Sequence, residues 1–324
     1  MRRSVLALVA LLGLASLTQP AAAQAQAWPN RPVKLILPLG PGSGTDTIAR
    51  LFADRLSTRW GKPVVVENKP GGDGIIAITA FLQANDDHTL LFTATSAFTG
   101  HPYLHDKLPY DPQALVPAAR VADTLVVLAV PESLNVKTVK ELVDMARAQP
   151  GKLNAASITG LLDLVFNGFL KSQKLDIAKV PYRDPVQALN DLGEGRIQML
   201  MTSITIVRAQ VQAGRVRMLA LTNAKSSSIA PNIPSVVEAG FPDLNVDGLV
   251  GFFTTKETPA SVREQIASDI RAIVDADPQI AQRLAAAGQV VNPGSPAEFA
   301  AAIDEQKARA TAVGKLLDIK PAQF

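Results

Sequence analysis

The sequence predicts an α/β protein built on open, mostly parallel sheets, and two observations carry that prediction. Short apolar runs of strand length recur along the chain, several of them apolar at successive positions, as strands buried on both faces require. Segments with helical spacing separate them, so the order is β-α-β throughout, and folds of this kind bind ligands beyond the carboxyl ends of their strands. A chain of 324 residues, 47% hydrophobic and 19% charged, is a folded globular protein with room for about two domains.

The N-terminus stands apart from the fold. Met1 to Arg3 carries two positive charges, Val5 to Leu17 is apolar, and Ala21-Ala22-Ala23 before Gln24 has the small-residue pattern of a secretory cleavage site, with Ala25-Gln26-Ala27 as a second candidate. A cleaved signal peptide over residues 1–27 is expected, because the apolar stretch is shorter than the roughly 18 residues a span needs. Strands are then expected at 33–37, 64–67, 89–93, 125–130, 153–157, 177–180, 198–202 and 217–221. Ile48, Leu51, Phe52 and Leu56 place a helix over 47–60, and Leu142, Val143 and Ala146 place another over 139–148. The alanine-rich stretch 261–315 reads as mainly helical and packs on a sheet.

Composition excludes several function classes. A formal net charge of +3, with no basic run interleaved with aromatics, gives no nucleic-acid footprint. The absence of cysteine removes disulfides, thiolate metal sites and a cysteine nucleophile. His101 and His105 are four apart, but Pro102 between them disfavours a helix with both rings aligned, and His88 has no fixed relation to them, so neither a metal nor another cofactor is expected. Asp86, Asp87, Asp243 and Asp247 show no spacing of a catalytic carboxylate pair.

The richest local signal is "ILPLGPGSGTDTIARLF", Ile36 to Phe52. Its glycines miss the dinucleotide pattern G-x-G-x-x-G by one place, no Gly-Lys-Ser/Thr follows, and two residues either side of Ser43 stand Pro41 and Thr45 where a nucleophile elbow has glycines. What remains is a strand, a glycine-rich turn and a helix N-terminus, whose unpaired N–H groups and dipole favour an anion. Asp46 reads as the N-cap of a helix starting at Thr47. A second loop, "VPYRDPVQALNDL", repeats the logic, with Tyr182, Arg183 and Asp184 before a helix. Arg183 reads either as a bidentate carboxylate clamp or as a solvated partner of Asp184.

The stretches "WPNRPVKLILPLGPGSGTDTIARLFADRL", "GKPVVVENKPGGDG", "HPYLHDKLPYDP", "PGKLNAAS", "VPYRDPVQALNDL" and "ALTNAKSSSIAPNIPSVVEAGFPDL" span the chain in order. Together they resemble the Bug family, the periplasmic solute-binding proteins of tripartite tricarboxylate transporters. The resemblance implies a type II periplasmic binding-protein fold: two Rossmann-like α/β lobes, expected at 28–127 plus 250–324 and at 128–249, closing on a small carboxylate in the cleft between them. It implies that Leu39, Gly40, Gly42, Ser43, Gly44, Thr45 and Asp46 grip the ligand from one side and Tyr182, Arg183 and Asp184 from the other. Thr95 and Ser96, Ser157 and Thr159, and Thr202 and Ser203 match further family positions, with Asp247 a candidate partner for a ligand amine.

Departures from the family pattern concern the ligand. The turn after Ser157 is short, Leu164 and Gly168 stand near positions usually held by His and Glu, and Asp184 replaces a frequent glycine. A monocarboxylate, an aromatic carboxylate or an amino acid is therefore expected over a citrate-like trianion. The resemblance implies a periplasmic, monomeric, non-enzymatic carrier that serves a membrane transporter or a sensor ectodomain, without nucleic acid. A secreted hydrolase using the interlobe cleft is the alternative.

Overall fold

A computed structural model describes residues 28–323 other than 159 and 183, and for Ser96 and Ala97 the backbone alone. The expected signal peptide, Thr159, Arg183 and the Ser96 hydroxyl therefore lie outside the described residues. Arg31–Phe324 form one compact unit, distinct from the segment before it, and the elements described below belong to that unit.

Two layered regions share this unit. The first is a six-stranded sheet of β1 (Val33–Leu37), β2 (Val64–Asn68), β3 (Thr89–Ala94), β4 (Val116–Thr124), β10 (Gly248–Thr254) and β11 (Gln289–Gly294), in the order β11-β4-β10-β3-β1-β2. The second is built on β5 (Val126–Pro131), β8 (Leu200–Ser203) and β9 (Val216–Leu221) in the order β8-β5-β9. Beside it run the parallel strands β6 (Asn154–Ser157) and β7 (Ala178–Pro181), joined to it by a bridge between Ala155 and Met199. The helices are α1 (Gly44–Trp60), α2 (Ile75–Ala84), α3 (Ser96–Leu104), α4 (Val139–Ala148) and α5 (Leu161–Ser172), followed by α6 (Pro185–Gly193), α7 (Ile204–Gln212), α8 (Ala260–Ala276), α9 (Pro278–Ala286) and α10 (Pro296–Leu317).

Alternation along the strands builds the core. Phe252 packs with Phe52 and Phe92 on one face of the first sheet, while the next residue, Phe253, packs with Phe98 and Phe299 on the other. Along β5, Leu128 and Val130 enter one cluster and Val127 and Ala129 another, which accounts for the unbroken apolar run.

Each of the eight expected strands forms, within two residues of its expected limits. The expectation of mostly parallel sheets is corrected. Strand β1 runs parallel to β2 and β3, but β10 is antiparallel to β3 and β4, β11 to β4, and β5 to β8 and β9. The cause is connectivity: β4 and β5 are separated by Leu125 alone yet belong to different sheets, and β9 returns to the first sheet as β10, so returning strands enter against the prevailing direction.

Three strands carry weaker signals. Strand β4 contains Pro117, Arg120 and Asp123, and β11 contains Pro293, tolerated because β11 is an edge. Strand β10 contains Gly248 and Gly251, where the requirement is space. A Cβ on Gly251 would lie 2.3 Å from the Ala119 carbonyl oxygen, and one on Gly248 would lie 2.6 Å from that of Thr124. Asn223 braces the Leu125 crossover on both sides, donating to the Thr124 carbonyl and accepting from the Val126 N–H.

Candidate functional site

Strand ends from both sheets, the carboxyl ends of β3, β4, β6 and β8 and the amino ends of the returning strands β5 and β10, open onto a cavity of about 590 Å³. From the first sheet come Thr93, Ala94, Thr124 and Gly248, with the loops after β1 (Pro38, Leu39, Thr45) and β2 (Pro70, Gly71, Asp73, Gly74). The second contributes Val126, Ala156, Met199, Met201 and Thr202, together with Ile158, Gly160, Leu161, Leu162, Asp163, Phe166 and Pro185. Cavities at strand ends in α/β sheets are the ordinary place for ligands.

Four helix N-termini converge on this cavity. Thr45 lies in the first turn of α1, Gly74 is the N-cap of α2, Gly160 is the N-cap of α5 with Leu161 and Leu162 behind it, and Pro185 opens α6. Neither Gly74 nor Gly160 supplies a side-chain cap, so first-turn N–H groups of α2 and α5 remain for another acceptor. No lysine or arginine is found among the described lining residues, so attraction for an anion comes from backbone dipoles.

The loop after β1 is held by a buried carboxylate. Helix α1 starts at Gly44, and its N-cap is Ser43, whose hydroxyl accepts from the Asp46 N–H. The expectation that Asp46 caps a helix from Thr47 is therefore corrected by one helical turn. Asp46 sits in the first turn, 3% exposed, and accepts from the Gly42 N–H at 2.9 Å, Arg50 Nε at 3.0 Å and Asn68 Nδ2 at 2.8 Å. The same Asn68 amide donates to the Leu39 carbonyl, joining the β1 and β2 loops. Burial alone would push the Asp46 carboxyl up, but hydrogen bonds from Arg50, Asn68 and Gly42, with the Arg50 charge, outweigh it and hold it below the usual range. Gly42 needs its freedom here, at φ +82°.

Of the expected residues in this loop, Leu39 and Thr45 line the cavity, whereas Gly40, Gly42, Ser43, Gly44 and Asp46 shape the turn behind them. Thr95 is not on the cavity wall: its hydroxyl donates to Gln306 of α10 at 2.6 Å, and its N–H donates to the Leu249 carbonyl. Thr93, two residues earlier on β3, is on the wall instead.

On the second side Thr202 lines the cavity, but Ser157, Tyr182, Asp184 and Ser203 stand around it. The Ser157 carbonyl accepts from the Tyr182 N–H at 2.9 Å, pairing β6 with the strand end beyond β7. The Tyr182 hydroxyl is pushed up to about 12 by burial and by its hydrogen bond to Asp191, to which it donates. Asp184 caps α6, accepting from the Val186 N–H, and the Ser203 hydroxyl pairs with that of Thr205. Asp247 lines the cavity, but its carboxylate accepts from the Ala224 N–H and faces Arg309 at 3.5 Å. The two carboxylates expected to meet a ligand amine thus have partners within the protein.

The departures at Leu164 and Gly168 act away from the cavity. Leu164 is buried beside Val246 and Ala310, and Gly168 lets α5 approach α10 so closely that a Cβ would sit 2.8 Å from Val313 Cγ1. The wall itself is formed by Phe166 and Asp163. Lys179 donates to Asp163 Oδ1 at 2.5 Å and to the Asn167 side-chain oxygen Oδ1 at 2.6 Å, neutralising that acid. Met199 and Met201 add apolar, adaptable surface.

The turn after β2 is part of the site as well, since Pro70, Gly71, Asp73 and Gly74 are cavity wall. The signal was present as a second glycine-rich strand-to-helix turn, similar to the first. The pairing of His101 and His105 also differs from expectation. Helix α3 continues through Pro102, His105 N–H donates to the His101 carbonyl, and the two rings meet edge to face with centroids 5.1 Å apart.

Comparison with known proteins agrees with this architecture. A family model, "Tripartite tricarboxylate transporter family receptor", matches residues 48–319. The UPF0065 protein from the tcbD-tcbE intergenic region of a Pseudomonas species is 33% identical over 301 residues, covering 91% of this chain and 88% of the relative. An R. palustris protein solved with adipate superposes with a TM-score of 0.75 at 27% identity, covering 90% of this chain and 99% of its own. The periplasmic binding protein BugD superposes with a TM-score of 0.70 at 25% identity, again covering 90% and 99%. Two α/β lobes around one strand-end cavity are the periplasmic binding-protein fold, and this chain belongs to the tripartite tricarboxylate transporter receptor family, that of the Bug solute-binding proteins.

Proposed function

We propose that this protein is a periplasmic, non-enzymatic carrier that captures an elongated carboxylate with an apolar body and presents it to a tripartite tricarboxylate-type transporter or a sensor. The convergence of four helix N-termini on one cavity carries the reading, since it provides carboxylate-sized sites on both walls without a cationic side chain among the described lining residues. Phe166, Met199, Met201, Ile158 and Val126 suit methylenes or a ring between the ends. The adipate held by the R. palustris relative is a ligand of that kind.

An amino acid is disfavoured, because Asp184 and Asp247 are already engaged. On this reading the lobes divide where the chain changes sheet, at Leu125 and between Leu221 and Gly248. The ligand grip proposed here uses Leu39, Thr45, Thr93, Thr124, Gly160 and Thr202, with Arg183 and Thr159 as further candidates from the sequence. Mass spectrometry of small molecules released from the purified, denatured chain tests the reading. A mono- or dicarboxylate with an apolar chain or ring is expected, and release of an amine or a sugar in stoichiometric amount would contradict it.

A further inference from the structure

The acids on the cavity wall differ in what stands opposite them. Asp163 meets Lys179 and Asp247 meets Arg309, whereas Asp73 faces two imidazoles. Asp73 Oδ2 is 3.4 Å from His101 Nε2 and 4.0 Å from His105 Nε2, and the three donor atoms all lie within 4.8 Å of one another. In a tetrahedral site with ligand bonds of about 2.1 Å, donors stand about 3.4 Å apart, so the cluster needs only a modest contraction. His105 Nε2 is buried with no hydrogen-bond partner among the described residues, a cost that a bound ion would remove.

We propose that Asp73, His101 and His105 form a binding site for one divalent transition-metal ion of the zinc type, set into the wall of the ligand cavity. Imidazole and carboxylate donors together suit zinc, nickel or copper better than magnesium or calcium, which prefer oxygen. The surroundings orient the ligands. His101 is fully buried, its Nδ1 is 2.5 Å from the Tyr110 hydroxyl, and its Nε2 is 3.0 Å from the Asp73 carbonyl. Without metal, Nε2–H donates to that carbonyl and Nδ1 accepts from Tyr110. Metal ligation through Nε2 requires the imidazole proton on Nδ1, where the tyrosine oxygen is placed to accept it.

Asp73 is fixed in the left-handed region at φ +53°, within the loop whose neighbours Gly71 and Gly74 line the cavity. The ion would replace an acid on the wall of an anion cavity by a net positive group. The test needs no carboxylate and therefore stands apart from the proposed transport ligand. Tag-free chain stripped with EDTA is titrated with zinc chloride by calorimetry, and with cobalt(II) in the visible range. One ion per chain is expected, with the absorption of tetrahedral cobalt. His105→Gln should weaken zinc binding by at least about tenfold and Tyr110→Phe by about tenfold, while His88→Gln should not change it. Asp73→Asn, which keeps the loop's shape, serves if His105→Gln fails to fold. Equal zinc affinity in wild type and these ligand variants, or no saturable binding below about 1 mM, would overturn the proposal.

Discussion

The two walls of the cavity are made in opposite ways. The first, from the loops after β1 and β2, is a backbone surface held rigid from behind: a buried Asp46 carboxylate gathers Gly42, Arg50 and Asn68, and Asn68 gathers Leu39. The second adds apolar side chains, Ile158, Phe166, Met199 and Met201, and the Lys179–Asp163 ion pair to the N-termini of α5 and α6. A backbone wall recognises what carboxylates have in common, whereas a side-chain wall can vary with the body of the ligand. Affinity for a carboxylate group should therefore follow the helix N-termini, which the first wall holds rigid from behind, and selectivity for the ligand body should follow the side chains of the second.

Removing the anchor of the first wall should have the largest effect. Asp46→Ala leaves the Gly42 N–H and Asn68 without their acceptor and is expected to cost about 3 kcal/mol of stability, read by urea denaturation, with ligand affinity falling across all carboxylates. A loss confined to one ligand class would contradict the division of labour. The pH dependence follows from the same group. Its folded carboxyl titrates below the unfolded value near 3.9, so its stabilisation is complete above about pH 4 and lost as pH falls through the folded value. Asp46→Asn should flatten that acid limb of a stability-versus-pH curve.

On the second wall, Lys179→Met strands Asp163 beside the cavity and is expected to cost about 1–2 kcal/mol in thermal unfolding. Calorimetry should show it disfavouring ligands with two charged ends more than those with one. Thr202→Val keeps the shape of the wall and removes a hydroxyl, with an expected loss of about 1 kcal/mol in binding and little in stability. Ser203→Ala, whose hydroxyl bonds only locally to Thr205, should change binding by less than about 0.5 kcal/mol, despite its place beside Thr202 in the sequence.

Much of this contrast was legible in the sequence at the level of loops and much less at the level of atoms. Periodicity located β1, β5 and α4 because each buries a simple pattern of apolar residues. It passed over β4 and β11, where polar residues and Pro293 are tolerated by irregular register and an edge position. The glycine-rich loop was recognised as one jaw, but which of its residues face the ligand depends on helix phase. A start at Gly44 instead of Thr47 moves Asp46 from the cap into the interior of the turn. Hydroxyl residues next to strand ends, Thr95 and Ser203 among them, cannot be assigned to cavity or scaffold without knowing what lies behind the strand, here Gln306 and Thr205. Asp73 and the His101–His105 pair were hidden for a similar reason, since Pro102 argued against a helical turn that packing nevertheless maintains.

The central claim is that a backbone anion wall and an apolar side-chain wall together select an elongated carboxylate. Calorimetric titration of the purified chain with a straight-chain dicarboxylate series, benzoate and citrate under identical conditions tests it most directly. The account predicts saturable one-to-one binding that strengthens as methylenes or a ring fill the space beside Phe166, Met199 and Met201, with citrate weaker than the best of these. Tightest binding of citrate, or no binding by any carboxylate, would contradict it.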